Sequence, residues 1–109
     1  MSATTAQGSA INQLIIRGSI VKPPRMKRSP AGVPHLLLAL EHRSLQQEAD
    51  LTRQCYVRIQ VVVSGDWAES WSTKLSLGSE IEVSGFIQRH ENANGIPRLV
   101  LHAQNIKQV

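Results

Sequence analysis

The sequence predicts an all-β fold, a small Greek-key barrel of five strands with one short helix between the third and fourth. Three observations predict it. Apolar residues recur at every second position through several stretches, the period of strands with one buried face. Gly18 and Gly85 fall in the middle of two such stretches, where a tightly curved sheet bends or another backbone comes close. Only Asp66 to Leu75 carries a helical period. A chain of 109 residues suits one domain, burying about 65% of its unfolded surface, and no internal repeat divides it.

The first strand is expected from Asn12 to Lys22, with Leu14, Ile16, Gly18 and Ile20 on one face and Ile15, Arg17, Ser19 and Val21 on the other. Lys22 to Pro34 holds prolines at 23, 24, 30 and 34 as well as Gly32, a density that excludes helix and central strand and predicts an extended loop. His35 to His42 reads as the second strand, with Leu36, Leu38 and Leu40 opposed to Leu37, Ala39 and Glu41. Arg43 to Arg53 is polar and of mixed charge. It is expected as a long connection: either a mobile hairpin tip or a short helix capped by Ser44 with Gln47.

The third strand, Gln54 to Ser64, sends Cys55, Val57, Ile59, Val61 and Val63 inward and leaves Tyr56, Arg58, Gln60 and Val62 outside. Asp66 is the expected N-cap of the helix and Gly78 lies beyond its end. Trp67 and Trp71, four residues apart, share one helix face and are expected to pack on the core rather than serve as a nucleotide platform. Ser79 to Arg89 is the fourth strand. After the Asn94-Gly95 turn signal, Arg98 to Val109 is the fifth, with Leu99, Leu101 and Ala103 alternating against Val100, His102 and Gln104. Five strands in this order, with a helix after the third, match the OB-fold; the helix position favours it over an SH3-like barrel.

Composition excludes several classes. At 41% hydrophobic and 18% charged the chain is ordinary for a globular protein, and no apolar run approaches the ~20 residues of a membrane span. Met1 to Ala10 lacks the basic and apolar regions of a signal peptide. Residues 1–11 are expected as a disordered arm and 12–109 as the OB-fold domain. Cys55 is the only cysteine, which precludes an internal disulfide and fits a reducing cytoplasm. His35, His42, His90 and His102 lack metal-ligand spacing. No phosphate-cradling glycine loop or nucleophile–base arrangement is present. Neither an enzyme nor a bound metal or cofactor is expected.

Charge points elsewhere. The net charge is +4 and the pI about 9.8, near the level at which basic domains bind nucleic acid. Lys22, Arg25, Lys27 and Arg28 crowd one acid-free segment, which could be a solvated loop or a phosphate-contacting finger. Tyr56 and Arg58 stand together on the outer face of the third strand, an aromatic for stacking on a base beside a guanidinium for a phosphate. Taken alone, Tyr56 reads first as a good strand former covering its neighbours, and only its place in the fold favours a stacking role.

The stretches Gly32-Val33-Pro34-His35, Glu41-His42-Arg43-Ser44, Val62-Val63-Ser64-Gly65, Gly85-Phe86-Ile87 and Val100-Leu101-His102-Ala103 closely resemble the primosomal replication protein N (PriB) family. More broadly the chain looks like its relative, bacterial single-stranded-DNA-binding protein (SSB). The resemblance runs from about Asn12 to the C-terminus. It implies a homodimeric, non-catalytic, bacterial cytoplasmic and nucleoid-associated protein. Such a protein binds single-stranded DNA and bridges the restart helicase PriA, DNA and DnaT at stalled forks. By matching position it implies DNA contacts at Lys27, Arg43, Tyr56 and Arg98. The chain departs from the family at Glu91 and Ala93, where lysines are usual, and at Leu51, where an aromatic is usual. Two other readings fit the same fold: a general SSB, which would carry an acidic tail beyond Val109, and a protein-interaction module with weak DNA binding.

Overall fold

The computed structural model describes residues 10–109; the expected arm over 1–11 falls mostly outside the described residues. Six strands and one helix follow in chain order: β1 (Leu14–Ile20), β2 (Arg25–Arg28), β3 (Pro34–Glu48), β4 (Leu51–Ser64), α1 (Trp67–Lys74), β5 (Glu80–Glu91) and β6 (Pro97–Gln108). The sheet runs β1-β5-β6-β4-β3-β2, and a further β1–β3 pairing closes β1, β5, β6, β4 and β3 into a ring. This is the five-stranded OB barrel, with parallel β4–β6 pairing at Gln60 and Val100.

Closure depends on the two mid-strand glycines. β1 pairs with β5 from Leu14 to Ser19, then turns to pair with β3 at Ser19 and Ile20. A Cβ on Gly18 would run into the Glu41 carbonyl oxygen, and one on Gly85 into that of His102. Gly85 also marks a register shift between β5 and β6, the bulge that lets a small barrel turn its corner. Asn12 extends the β1–β5 ladder with its side chain: its amide donates to the Ile87 carbonyl at 2.8 Å and accepts from the Ile87 N–H at 2.9 Å.

The interior is aliphatic. Ile20, Leu36, Leu38, Leu40, Val61, Val63, Ile81, Val83 and Leu101 are almost wholly buried. The expected alternation holds in β1, β3, β4 and β5, but β6 departs from it. Leu101 keeps the inward phase beside Val61, but Leu99 is exposed, and Val100, level with outward Gln60, is buried on the outer face. Beyond Ala103 the bulge shifts the phase so that Ile106 points in. α1 lies against β2, β3 and β4. It buries Ala68, and Trp67 and Trp71 pack partly buried on the core. Trp67 Nε1 donates to the Ser64 carbonyl at 2.7 Å.

Three local expectations are corrected. The proline-rich segment is not wholly loop, because Arg25–Arg28 forms a strand antiparallel to β3 from Arg25↔Leu37 to Arg28↔Pro34. The prolines flank this strand and none falls inside it, so the sheet-edge position is compatible with them. Of the two alternatives for Arg43 to Arg53 the capped helix is excluded and the hairpin holds, although it is strand almost to its tip rather than a long connection. β3 and β4 pair without interruption to Glu48↔Leu51, and Ala49 and Asp50 close the hairpin with φ of 52° and 62°, as a two-residue type I′ turn requires. Finally, Asp66 is not a side-chain cap. It has helical φ and ψ of −60° and −33° and makes no cap hydrogen bond, while the turn begins with Ala68 N–H bonded to the Gly65 carbonyl at 3.0 Å.

Candidate nucleic-acid interface

Antiparallel register places opposite residues on the same face of a sheet. Outward from the barrel, β3 therefore presents Leu37, Ala39, Glu41, Arg43 and Leu45 against Val62, Gln60, Arg58, Tyr56 and Gln54 of β4. β2 adds Arg25 beside Leu37 and Lys27 beside His35 on the same face. On the other side of β4, Gln60 is level with Val100 of β6. Arg98 precedes Val100 by two residues as Arg58 precedes Gln60, so the two guanidiniums stand on neighbouring parallel strands.

These strands form an open groove of about 380 Å³ with Leu37 and Ala39 in its floor and Lys22, Arg25, Arg58 and Arg98 around it. Four of the eight basic or aromatic residues singled out in the sequence meet here. Lys27 is one alternation along β2 from Arg25, facing the same way. Arg28 is not part of this surface. Its position opposite Pro34 turns it to the other face, where it bonds Glu69 of α1 at 3.1 Å and the Gly32 carbonyl at 3.3 Å.

Pairing of charges separates the cations further. Among the described residues, Arg17, Arg28, Arg43, Arg53, Arg89 and Lys107 each make an ion pair, and Lys74 lies over the Trp71 ring. Lys22, Arg25, Lys27, Arg58 and Arg98 make none. Apart from Lys74, the cations without an ion pair are those of the groove face.

Tyr56 and Arg43 form a second cluster on the same hairpin. Opposite each other in the β3–β4 ladder, they stack with the guanidinium carbon 4.4 Å from the ring centroid. Glu41 ties both: the Tyr56 hydroxyl donates to Oε2 at 2.9 Å and Arg43 Nε donates to Oε1 at 3.3 Å. The Tyr56 hydrogen bond holds the Glu41 carboxyl below the usual carboxylate range; Arg43 and Arg58 add to this and desolvation opposes it. A pocket of about 420 Å³ opens beside Tyr56, bordered by Leu45, Gln54 and Cys55. The arrangement offers an aromatic and a guanidinium plane for bases beside a basic track for phosphates.

A family model described as another single-strand binding protein family matches residues 12–105. Replication restart protein PriB of Yersinia pseudotuberculosis is 44% identical over 96 residues, covering 88% of this chain and 91% of the relative. PriB of Photorhabdus laumondii is 46% identical with the same coverage.

The chain belongs to the PriB family.

PriB of Ralstonia solanacearum superposes with a TM-score of 0.74 at 25% identity, covering 91% of this chain and 98% of that one. The wild-type single-stranded DNA binding protein of Thermus aquaticus gives 0.77 at 23% identity, over 91% of this chain and 50% of that one, a likeness of fold. The PriB family is non-enzymatic.

Within this PriB-family chain the Glu41-His42-Arg43-Ser44 stretch divides by strand alternation. Glu41 and Arg43 face outward. His42 turns the other way and fastens β1 to β3: Nδ1 lies 2.7 Å from the Arg17 carbonyl, which can only accept, so Nδ1 carries the proton and Nε2 accepts from the Ser44 hydroxyl at 2.7 Å. On β5 and β6, Phe86 and His102 stack at 4.8 Å and 3°, and the Nε2 atoms of His102 and His90 are 2.9 Å apart. Burial, and then His90, lower the His102 pKa. Sequence reasoning overlooked Glu41 as the tether of Tyr56 and Arg43. The available signal was alternation, which places it on the face of Arg43. It also overlooked the Phe86–His102–His90 row, which requires the β5–β6 register. Of the family departures, Glu91 pairs with Arg89 at 3.5 Å and Leu51 is exposed beside the hairpin turn.

Proposed function

We propose that this protein is a single-stranded-DNA-binding accessory protein of the replication restart primosome. Its strand path crosses the β2–β3–β4–β6 face. The observation that carries this reading is the gathering of Lys22, Arg25, Arg58 and Arg98 around one groove, with Lys27 on the same face of β2, all without ion pairs, while the other arginines are neutralised. Phosphates follow these five cations, bases stack on Tyr56 at the hairpin end, and Arg43 beside it meets a further phosphate. Arg28, paired with Glu69, lies off this path.

Family membership supports bridging of PriA, DNA and DnaT at stalled forks in the bacterial cytoplasm, in association with the nucleoid. A homodimer is supported by the β1 edge opposite β5. From Leu14 to Gly18 this edge has no strand partner among the described residues, and Ile15 beside it is 60% exposed. Unpaired strand edges are templates for a second chain.

The test is titration of labelled oligo-dT and of duplex of equal length, with light scattering for the dimer. Tighter binding of the single strand, weakened by Tyr56→Ala, is expected; equal or tighter duplex binding refutes the reading. Exposed Leu45 and Leu51 on the β3–β4 arm favour a second reading, a protein-interaction module with weak DNA binding. That reading wins if Lys27→Ala with Arg43→Ala leaves DNA affinity unchanged while helicase stimulation persists.

A further inference from the structure

Glu41 contradicts its surroundings. It is the only acid among the outward residues of β3 and β4 between Leu37 and Gln47 and between Thr52 and Val62. It sits in the ladder directly opposite Arg58 and one alternation from Arg43. A carboxylate on a face otherwise suited to a polyanion repels that ligand. The barrel does not require it there, since the core is built by Leu38, Leu40 and the inward residues of β4. The Glu41 carboxylate instead accepts from the two groups best placed to touch DNA at the hairpin end, Tyr56 at 2.9 Å and Arg43 at 3.3 Å.

We propose that Glu41 is an electrostatic gate on the Arg43–Tyr56 stack. In the free protein its carboxylate positions both side chains and cancels the charge of Arg43; when a single strand binds, a phosphate takes Arg43 from it. Glu41 is thus a positioning residue that lowers affinity. This rests on the DNA-binding reading above.

The geometry makes the exchange cheap. Arg43 spends only Nε on Glu41, at a long 3.3 Å, and guanidinium has further N–H donors for a phosphate. The Arg43 side chain is 71% exposed against 21% for Glu41, so the guanidinium end of the pair is open to a competing phosphate and screened by salt. The phosphate need not break the Tyr56–Glu41 bond, because that bond uses the other carboxylate oxygen. Tyr56 therefore stays oriented while Arg43 changes partner.

Glu41→Gln tests this. The substitution keeps an acceptor for the Tyr56 hydroxyl and nearly the same shape, and removes the charge. A like charge a few ångströms from a bound phosphate in water is expected to weaken binding about five-fold. Glu41→Gln should therefore bind oligo-dT about five-fold more tightly at low salt. The same phosphate contacts form in both proteins, so the gain is in affinity rather than in the number of phosphates neutralised. Unchanged or weaker affinity overturns the gate; an unaltered melting temperature shows that the fold is intact.

Tyr56→Ala and Arg43→Ala, measured alongside, separate the two levels. If both leave affinity intact, the hairpin end of the DNA reading fails. If either weakens binding while Glu41→Gln does not strengthen it, the gate alone fails.

Discussion

The segregation of free from paired cations makes a quantitative prediction about salt. Each phosphate neutralised on a single strand contributes about −0.7 to the slope of log K against log salt. The free cations on the groove face are Lys22, Arg25, Lys27, Arg58 and Arg98. If each takes one phosphate, these five contribute about −3.5 to the slope for oligo-dT, and affinity falls by at least about 100-fold between 50 and 200 mM salt. Arg58→Ala should lower the slope in magnitude by about 0.7 and weaken binding to every sequence alike. Arg28→Ala should leave the slope unchanged, because Arg28 faces α1 and is paired with Glu69 at 3.1 Å. Fluorescence anisotropy of a labelled oligonucleotide across several salt concentrations reads both quantities. A slope near zero, or an Arg28→Ala loss equal to that of Arg58→Ala, would refute the assignment of the groove.

Other perturbations probe separate parts of the structure. Tyr56→Ala should weaken oligo-dT binding by about 1–3 kcal/mol, as loss of one stacked base predicts, with little change in slope; a change confined to the slope would contradict stacking. Gly85→Ala should destabilise the fold by at least ~3 kcal/mol in urea melts, because its Cβ meets the His102 carbonyl at a backbone position that cannot yield. A loss below 1 kcal/mol would show that the bulge relaxes. Acidification should destabilise through His102, whose folded pKa lies below its usual 6.5 because of burial and then His90. The unfolded chain takes up the proton first, so this stability is present above that value and is lost as pH falls from it through the lowered pKa. His90, Phe86 and Arg98 are the neighbours on that face. His102→Phe should flatten the fall in melting temperature between pH 7.5 and 5.5, and an identical fall in both proteins would count against it.

Much of this molecule is legible in its sequence, wherever burial differs between the two faces of a strand. Leu36, Leu38 and Leu40 against Leu37, Ala39 and Glu41, and Val61 and Val63 against Tyr56 and Arg58, reported their faces through alternation, and all keep them. Gly18 and Gly85 reported backbone close approach because no other residue fits there. The Glu41-His42-Arg43-Ser44 stretch carried the family resemblance.

The same signal vanished where both faces are solvated. Beyond Arg43 the β3–β4 arm leaves the barrel, so Gln46, Gln47, Glu48, Thr52 and Arg53 show no apolar period although they pair rung for rung. In β6 the bulge opposite Gly85 changes the phase, which periodicity cannot foresee from one strand.

The sequence by itself determined that this chain closes into a small barrel, and that Tyr56 and Arg58 share its outer face, because a strand's two-residue period links each side chain to its neighbours. Tertiary structure alone decided which cations act together. Arg25 and Arg28 are three residues apart in an undivided basic run, yet pairing of β2 with β3 sends one to the groove and the other to Glu69. Arg58 and Arg98, forty residues apart, meet only because β4 and β6 run parallel around the closed ring. Charge acts through distance in space, and in a barrel that distance is set by strand register rather than by position along the chain.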